Sequence, residues 1–357
     1  MKNSYLILIG VLLLISGMSC KKYDQGYSYP SPTPTSEKWV VTTVAGDGTA
    51  AFADGPVESA KFHFPNDVVV ATDGTIYVSD GDNSRIRKIS GGQVSTFAGS
   101  DFGVANGNGS LAEFEFPTSL AIDANGNIYV SDVRDPRIRK SNLAADISTY
   151  AGIATEGFAD GNADAAKFGE EKNIASDADG NIYVADAQNN SIRKISISGN
   201  VTTVAGDASA GFNNGSGGTA RFNFPDGIAL DQQGNLFISD GSNFCIRKIT
   251  PQGEVSTLAG TGTQGWTDGT PDKAQFQYPG DMIADRQGNL YVVDLSRIRK
   301  ITPQGVVTTI AGTVDGYEDG EGSAAKFYTP FGIGIDSQGN IYVADTNNNR
   351  IRKISLE

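Results

Sequence analysis

The chain has 357 residues, of which 41 are Asp or Glu and 28 are Lys or Arg, so its formal net charge at pH 7 is -13. An acidic surface of this kind repels phosphate backbones and anionic lipid headgroups, which argues against nucleic-acid binding and against peripheral docking on membranes. The two cysteines, Cys20 and Cys245, cannot form a disulfide framework, and a chain of this length can bury enough apolar surface without one.

The first segment, residues 1–19, carries one lysine, an apolar run from Tyr5 to Ile15 and then small residues. A run this short predicts a cleaved secretory signal peptide rather than a membrane span. Cys20 follows directly, and the stretch resembles the lipobox at which bacterial lipoproteins are cut and acylated, with Gly17 where leucine is usual. We predict lipidation of Cys20; the alternative is an ordinary signal peptide followed by an incidental cysteine.

Residues 20–38 form a polar segment with proline at alternate positions from Pro30 to Pro34. Such a segment cannot bury a core and is expected to be extended. We interpret it as a tether between the lipid and the rest of the chain. The predicted location is the bacterial envelope, at the outer membrane and facing either the periplasm or the cell surface, with the lipid as the only membrane contact.

From Trp39 onward, one unit of roughly 50 residues recurs six times, which is typical of the blades of a β-propeller. Each unit has an apolar strand that ends in aspartate and then a strand containing Ile-Arg-Lys. The aspartates are Asp80, Asp132, Asp186, Asp240, Asp294 and Asp345, and the arginines are Arg87, Arg139, Arg193, Arg247, Arg299 and Arg352. Because these residues occur in every unit, we interpret them as structural: the carboxylate accepts hydrogen bonds from turn amides, and the guanidinium reaches a neighbouring carboxylate.

The last unit indicates the order of strands within a blade. Residues 332–336, 341–344 and 351–354 are predicted to form its first three strands, separated by short polar turns. A fourth strand reads Val-Thr-Thr-Val-Ala-Gly at residues 201–206 and is missing from the last unit, but the same text stands at residues 41–46. We therefore predict that the N-terminal strand pairs with the last three strands and closes the ring.

The predicted fold is thus all-β, a six-bladed propeller over residues 39–357. The second strands are apolar on both faces, which is expected when blades stack around an axis and bury both sides of each sheet. Every long loop between blades also carries a phenylalanine that we predict to be a plug between neighbouring blades: Phe62, Phe114, Phe168, Phe222, Phe276 and Phe327.

Residues 339–345 read Gly-Asn-Ile-Tyr-Val-Ala-Asp, and an asparagine turn separates them from Arg-Ile-Arg-Lys-Ile at residues 350–354. This text resembles the NHL repeat. The resemblance implies a propeller, but it says little about function, since such propellers include protein-binding and RNA-binding modules, extracellular sensors and a metal-dependent amidating lyase. His63 is the only histidine, so neither the histidine-ligated zinc site of that lyase nor a serine-histidine-acid triad can be assembled.

The units differ at the start of the first strand, which lines the central channel of a propeller. Asp67, Asn173, Asp226 and Asp281 stand there, and we predict them to lie at the channel mouth. Their oxygen atoms suit Ca²⁺ or a similar divalent cation, and lactonase-like six-bladed propellers hold a metal in a comparable place. The alternative is that these polar residues line a solvent-filled channel.

The long loops also carry aromatic residues among carboxylates: Phe102, Phe158, Phe212, Trp266 and Tyr317. Aromatic anchors on loops above a rigid scaffold are what a binding face requires. These rings can equally fold back and pack their own loops, and the sequence leaves both interpretations open.

The sequence therefore favours a monomeric, non-catalytic module that binds a protein, a peptide or a glycan on its loop-bearing face. The alternative is a metal-dependent hydrolase or lyase, lactonase-like in its site, acting on a small molecule at the channel mouth.

Overall fold

The computed structural model describes residues 37–169 and 172–357. They form six antiparallel sheets around a central axis, a six-bladed β-propeller, as predicted. The signal peptide, Cys20 and all but the last two residues of the proposed tether lie outside the described residues. Within the described ranges, no helix is long and apolar enough to cross a membrane.

The strands follow the chain order, and the first strand of the chain belongs to the last blade. Strand β1 spans Trp39–Ala45. Blade 1 consists of β2 (Gly55–Pro56), β3 (Pro65–Val70), β4 (Ile76–Asp80), β5 (Arg85–Ser90) and β6 (Gln93–Ala98). Blade 2 consists of β7 (Gly107–Asn108), β8 (Pro117–Ile122), β9 (Ile128–Asp132), β10 (Asp135–Ser141) and β11 (Asp146–Ala151). Blade 3 consists of β12 (Gly161–Asn162), β13 (Lys172–Ser176), β14 (Ile182–Asp186), β15 (Ser191–Ile195) and β16 (Asn200–Ala205).

The remaining blades repeat this arrangement. Blade 4 consists of β17 (Gly215–Ser216), β18 (Pro225–Leu230), β19 (Leu236–Asp240), β20 (Cys245–Ile249) and β21 (Glu254–Ala259). Blade 5 consists of β22 (Pro279–Ala284), β23 (Leu290–Asp294), β24 (Arg297–Ile301) and β25 (Val307–Ala311). Blade 6 consists of β26 (Gly320–Glu321), β27 (Ile333–Ile335), β28 (Ile341–Asp345) and β29 (Arg350–Leu356), together with β1. Short 3₁₀ turns span Gly81–Asn83, Gly109–Leu111, Gly241–Asn243 and Thr346–Asn348.

A two-residue strand covers the outer edge of five blades, and the sequence did not predict it. In blade 1 the order from the axis outward is β3, β4, β5, β6 and β2, with Gly55 paired to Val94. In blade 5 a single bridge between Gly269 and Val307 takes the same place. The φ of Gly55 is 134°, a conformation that favours glycine. These short strands pair the outer edge that would otherwise stay open.

Blade 6 combines both ends of the described chain. Strand β1 pairs antiparallel with β29, with Trp39 opposite Leu356 and Thr42 opposite Lys353. Its outer side pairs with β26. The fourth strand of this blade therefore comes from the N-terminal side of the repeats.

The propeller has two unlike faces. The loop face carries the long connections between blades and the turns after the second strands, and the turn face carries the tight turns. Strand β1 runs from the turn face to the loop face, because residue Ala45 leads into the first long loop. The chain therefore reaches β1 from the turn face, where Glu37 forms an ion pair with Lys300 at 3.0 Å.

The core lies between blades rather than within any one of them. All six predicted plug phenylalanines are fully buried. Phe62, for example, packs with Ile76 and Val78 of blade 1 and with Ala344 and Ile351 of blade 6. The blades are therefore joined by side chains that the long loops insert between them.

Candidate binding face

Buried arginines fasten the long loops to the blades. In blade 1, Arg87 donates to Asp80 and Asp54, both at 2.6 Å, and to the carbonyl oxygens of Lys61 and Ala53 at 2.9 Å. Three of these four partners lie in the long loop and Asp80 ends the second strand, so one guanidinium ties the loop to the blade. Buried charged groups with this many partners are costly to disturb singly, because the remaining partner would be left buried and unpaired.

The same arrangement recurs around the ring. Arg193, Arg299 and Arg352 pair with the strand aspartate and with a loop aspartate, and Arg247 pairs with Asp240 and Asn214. Blade 2 departs from it: Arg139 lies 3.7 Å from Asp135, and burial lowers its pKa. Burial also raises the pKa of Asp80 and of the strand aspartates of blades 3 to 6, against the effect of the paired arginine.

A second set of aromatic residues lies over arginine side chains. In four units these are the buried arginines, and in blades 2 and 5 they are Arg134 and Arg297. One ring in each long loop lies over a guanidinium, at 3.9–5.6 Å from ring centroid to Cζ. The rings are Phe52, Phe102, Phe158, Phe212, Trp266 and Tyr317. All but the half-buried Phe212 are 43–58% exposed. Each ring therefore contacts an arginine and is still exposed to solvent, which is compatible with both interpretations of the sequence.

Phe52 is a member of this outer set that the sequence analysis missed. The signal was present, because an aromatic residue stands two positions before the loop residue that binds arginine in five of the six units. These pairs are Phe52 and Asp54, Phe158 and Asp160, Phe212 and Asn214, Trp266 and Asp268, and Tyr317 and Asp319.

Four polar side chains of the inner strands meet at the loop-face end of the channel. Ser119 Oγ donates to Asn173 Oδ1 at 2.9 Å, and Asn173 Nδ2 donates to Asp281 Oδ1 at 3.0 Å. Asp67 lies beside Ser119 and completes this group, the polar belt. The structure thus brings together three of the four predicted channel-mouth residues. The fourth, Asp226, precedes the belt position by one residue and lies against Gly280 instead.

The polar belt accepts hydrogen bonds from the free edges of the inner strands. Leu120 N donates to Asp67 Oδ2 at 2.7 Å, and Ile333 N donates to Asp281 Oδ2 at 2.9 Å. These N–H groups face the axis, where no further strand pairs with them. At Gly332 a Cβ would overlap Asp67 Oδ1, so blade 6 packs directly against the belt. The belt residues are 2–6% exposed, so side chains that we predicted at the channel mouth close the channel there.

Burial changes the acidity of the two belt carboxyl groups. Desolvation and the nearby charge of Asp281 raise the pKa of Asp67 well above its usual range. Desolvation likewise raises the pKa of Asp281 to about 7. Among the described residues, no group of three or more His, Cys, Asp or Glu side chains could hold a metal ion. The carboxylate oxygens of Asp67 and Asp281 accept hydrogen bonds from N–H groups, and Asn173 Oδ1 accepts one from the Ser119 hydroxyl.

Behind the belt, the channel widens into a cavity of about 660 Å³ that includes its opening to solvent. Its lining is largely aliphatic, with Val70, Ile122, Leu230 and Ile335 at the far end. These four side chains are partly exposed, so the channel opens on the turn face.

Another group of aromatic residues surrounds the axis on the loop face, and the sequence analysis missed it. This inner rim consists of Phe64, Phe116, Phe224 and Tyr278, together with Tyr328 and Phe331 of blade 6, which stand on either side of Thr329 and Pro330. The first four stand two residues after a plug phenylalanine and directly before the proline that opens the inner strand. The recurrence of Phe-x-Phe-Pro or Phe-x-Tyr-Pro was the available signal. Phe116 Cζ would lie 3.0 Å from a Cβ at Gly81, so this ring reaches over the preceding blade.

His63 is partly exposed on the loop face, whereas Cys245 lies in the core. His63 Nε2 lies 3.3 Å from Asp82 Oδ2 on the loop face. Cys245 is fully buried at the start of β20.

Two stretches of the sequence, residues 62–89 and 327–354, match the family model described as NHL repeat. The chain carries NHL repeats. A second model, described as alkaline phosphatase PhoX, matches residues 155–274.

Curated relatives are similar to this NHL propeller over part of their length. NHL repeat-containing protein 2 of Gallus gallus is 29% identical over 343 residues, which cover 82% of this chain and 46% of that protein. Protein SUPPRESSOR OF QUENCHING 1, chloroplastic, of Arabidopsis thaliana is 28% identical over 279 residues, which cover 71% of this chain and 26% of that protein. The chain spans less than half the length of these relatives.

Solved structures share the fold at low identity. Auxiliary nutrient binding proteins of Bacteroides thetaiotaomicron and Bacteroides ovatus give TM-scores of 0.66 and 0.67, with 18% and 19% identity over 90% of this chain and 77% of theirs. The gluconolactonase XC5397 of Xanthomonas campestris gives 0.59, with 11% identity over 95% of this chain and all of that one. A catalytically inactive His→Ala variant of virginiamycin B lyase from Staphylococcus aureus gives 0.54, with 16% identity over 89% and 100%.

Proposed function

We propose that this NHL propeller is a non-catalytic binding module that holds a protein, peptide or glycan ligand on its loop face. The observation that carries the proposal is the outer set of aromatic rings, which stack on arginines and remain exposed on fastened loops. Rigid aromatic surfaces bind with little loss of conformational entropy, because their orientation is fixed before the ligand arrives.

The same proposal includes the cellular setting. Lipidation at Cys20 would hold a monomeric propeller at the bacterial outer membrane through the tether of residues 20–38. The names of the two Bacteroides structures, auxiliary nutrient binding proteins, support a ligand-binding role in such an envelope.

A metal-dependent hydrolase or lyase is the second candidate, and the gluconolactonase and lyase structures favour it. The polar belt argues against a metal-dependent enzyme, because carboxylate oxygens of Asp67 and Asp281 accept hydrogen bonds from strand N–H groups. The inactive lyase variant lacks one histidine, whereas the single histidine here, His63, lies on the loop face beside Asp82.

The test compares truncations of aromatic residues on the loop face with a truncation on the turn face. The full-length chain, Trp266→Ala and Phe102→Ala are immobilised, and each is offered peptide arrays, glycan arrays and envelope extracts. Leu143→Ala is the control, because Leu143 is 69% exposed on the turn face. Binding that either loop-face substitution weakens at least about tenfold, and that the control retains, supports the proposal. Equal binding by all four proteins, or no binding by any, contradicts it.

The second candidate has its own measurement. If the chain were a metal-dependent enzyme, elemental analysis would find about one divalent ion per chain, lost in Asp67→Ala and Asp281→Ala together with turnover of lactone and ester substrates. We expect instead that added calcium leaves the melting temperature unchanged, since a ligand that binds only the folded state would raise it.

A further inference from the structure

The inner rim lies above the polar belt, which closes the channel at the centre of the loop face. Phe64, Tyr328 and Phe331 are 38%, 44% and 41% exposed, and the other three rings are half-buried. The polar belt lies just below, since Phe64 directly precedes the inner strand that carries Asp67. The rings therefore form a platform above a sealed channel instead of lining a pore.

Two rings of the platform are held by backbone that phenylalanine rarely adopts. The φ angle is 53° at Phe64 and 55° at Phe224. Their N–H groups donate to side-chain oxygens of the neighbouring blade, Asn349 Oδ1 at 3.2 Å and Asn190 Oδ1 at 2.9 Å. A left-handed conformation is unfavourable at a bulky residue, and such strain concentrates at functional sites. Neighbouring blades thus fix the direction of these rings.

The chemistry of the platform favours the face of a sugar ring. An aromatic face carries negative potential and attracts the weakly positive C–H groups that one side of a pyranose presents. Thr118 and Asp226 occupy the position of Phe331 in their own blades, so a hydroxyl and a carboxylate stand there in place of an aromatic ring. Sugar hydroxyl groups can donate to the oxygens of such groups.

Two other ligand classes fit this surface less well. An extended peptide binds most simply by adding a strand to a free sheet edge, but short strands cover the outer edges and the belt accepts inner-edge N–H groups. An anionic ligand would meet a chain of net charge -13. A neutral saccharide meets neither obstacle.

We propose that the inner rim binds a neutral glycan, with sugar rings stacked on Phe64, Tyr328 and Phe331. The inference rests on the proposed function of the loop face and names the class of ligand. It adds contacts at the axis to those of the outer aromatic set, which lies further out on the long loops.

The experiment measures binding of the full-length protein to an array of neutral oligosaccharides that spans glucans, mannans, xylans, galactans and fructans. Dissociation constants for the best binder are then measured for Phe331→Ala and Tyr328→Ala. The control is Ile197→Ala, which removes an aliphatic side chain that is 74% exposed on the turn face. Melting temperatures establish that each variant is folded. We expect at least about tenfold weaker binding for both rim variants and unchanged binding for the control.

The outcomes separate this inference from the function on which it rests. Absence of binding to every neutral glycan, or equal binding by the rim variants and the control, overturns the inference. If the protein binds a peptide on an array, Trp266→Ala weakens that binding and no glycan is bound, then the proposed binding function is supported and the inference of a glycan ligand is wrong. If neither array shows binding, both are wrong.

Discussion

The groups that surround Asp67 and Asp281 decide what these two carboxylates bind. As isolated carboxylates they suggest a cation site, and the sequence offers no reason to prefer another role. In the structure their donors are neutral N–H groups, such as Leu120 N, Asn173 Nδ2 and Ile333 N. Because Asn173 and Asp281 are 108 residues apart, only the closed ring brings them together. The sequence predicted three of the four belt residues and missed Ser119, and it did not predict what these residues bind.

The raised pKa values of this pair make stability depend on pH. Protonation is easier in the folded state than in the unfolded state, where an aspartate has a pKa of about 3.9. The folded protein therefore binds more protons above that value, and its stability falls as pH rises through about 7, the pKa of Asp281. We expect the melting temperature to fall between pH 5 and pH 8. Asp67→Asn should show a smaller fall, because it removes one of the two coupled groups.

Asp101→Asn is the matched control, since Asp101 is an exposed aspartate of a long loop. Its melting temperature should follow that of the unaltered protein at every pH. Parallel curves for Asp67→Asn and the unaltered protein would contradict the role assigned to the belt pair.

At the scale of elements, the repeat pattern predicts much of each blade. Alternating apolar strands, glycine turns and the plug phenylalanines all follow from local chemistry that recurs six times. The two-residue outer strands were missed, because a pair such as Gly55 and Pro56 has no strand periodicity and pairs only through the fourth strand of its own blade. The inner rim was missed because its aromatics stand in loops, where periodicity carries no information.

The contribution of a plug phenylalanine to the free energy of unfolding can be measured. Phe222 is fully buried between Ala185 and Ile192 of blade 3 and Ile228 and Ile238 of blade 4. Phe222→Ala should lower the free energy of unfolding by about 3–5 kcal/mol, because it removes apolar contacts and leaves a cavity between blades. Urea unfolding followed by circular dichroism measures the change.

Phe102→Ala serves as the comparison for that measurement, since Phe102 is 58% exposed. It should cost less than about 1 kcal/mol. Similar losses for the two variants would show that the loop phenylalanines do not join the blades.

At the scale of the whole molecule, stability depends on the strand that closes the ring. Val41 of β1 is fully buried opposite Ile354, and the next residue, Thr42, is exposed opposite Lys353. Val41→Asp would bury an unpaired charge in the closing blade, so we expect a loss of several kcal/mol and a marked fall in melting temperature. Scanning calorimetry measures that fall.

Thr42→Asp places the same charge one residue away, beside a lysine, and should leave the melting temperature nearly unchanged. Equal effects of the two substitutions would mean that β1 does not seal the ring. Deletion of residues 39–46 should be more severe than either substitution, since it leaves β29 and β26 without their partner.

The ion pair between Glu37 and Lys300 has a consequence for how the protein would be displayed. The chain joins the propeller on the turn face, and the aromatic rings occupy the opposite face. A membrane anchor attached before Glu37 would therefore hold the propeller by its turn face. The aromatic rings of the loop face would then point away from the membrane. Anchoring and capture would then use opposite sides of the molecule and would not compete for the same surface.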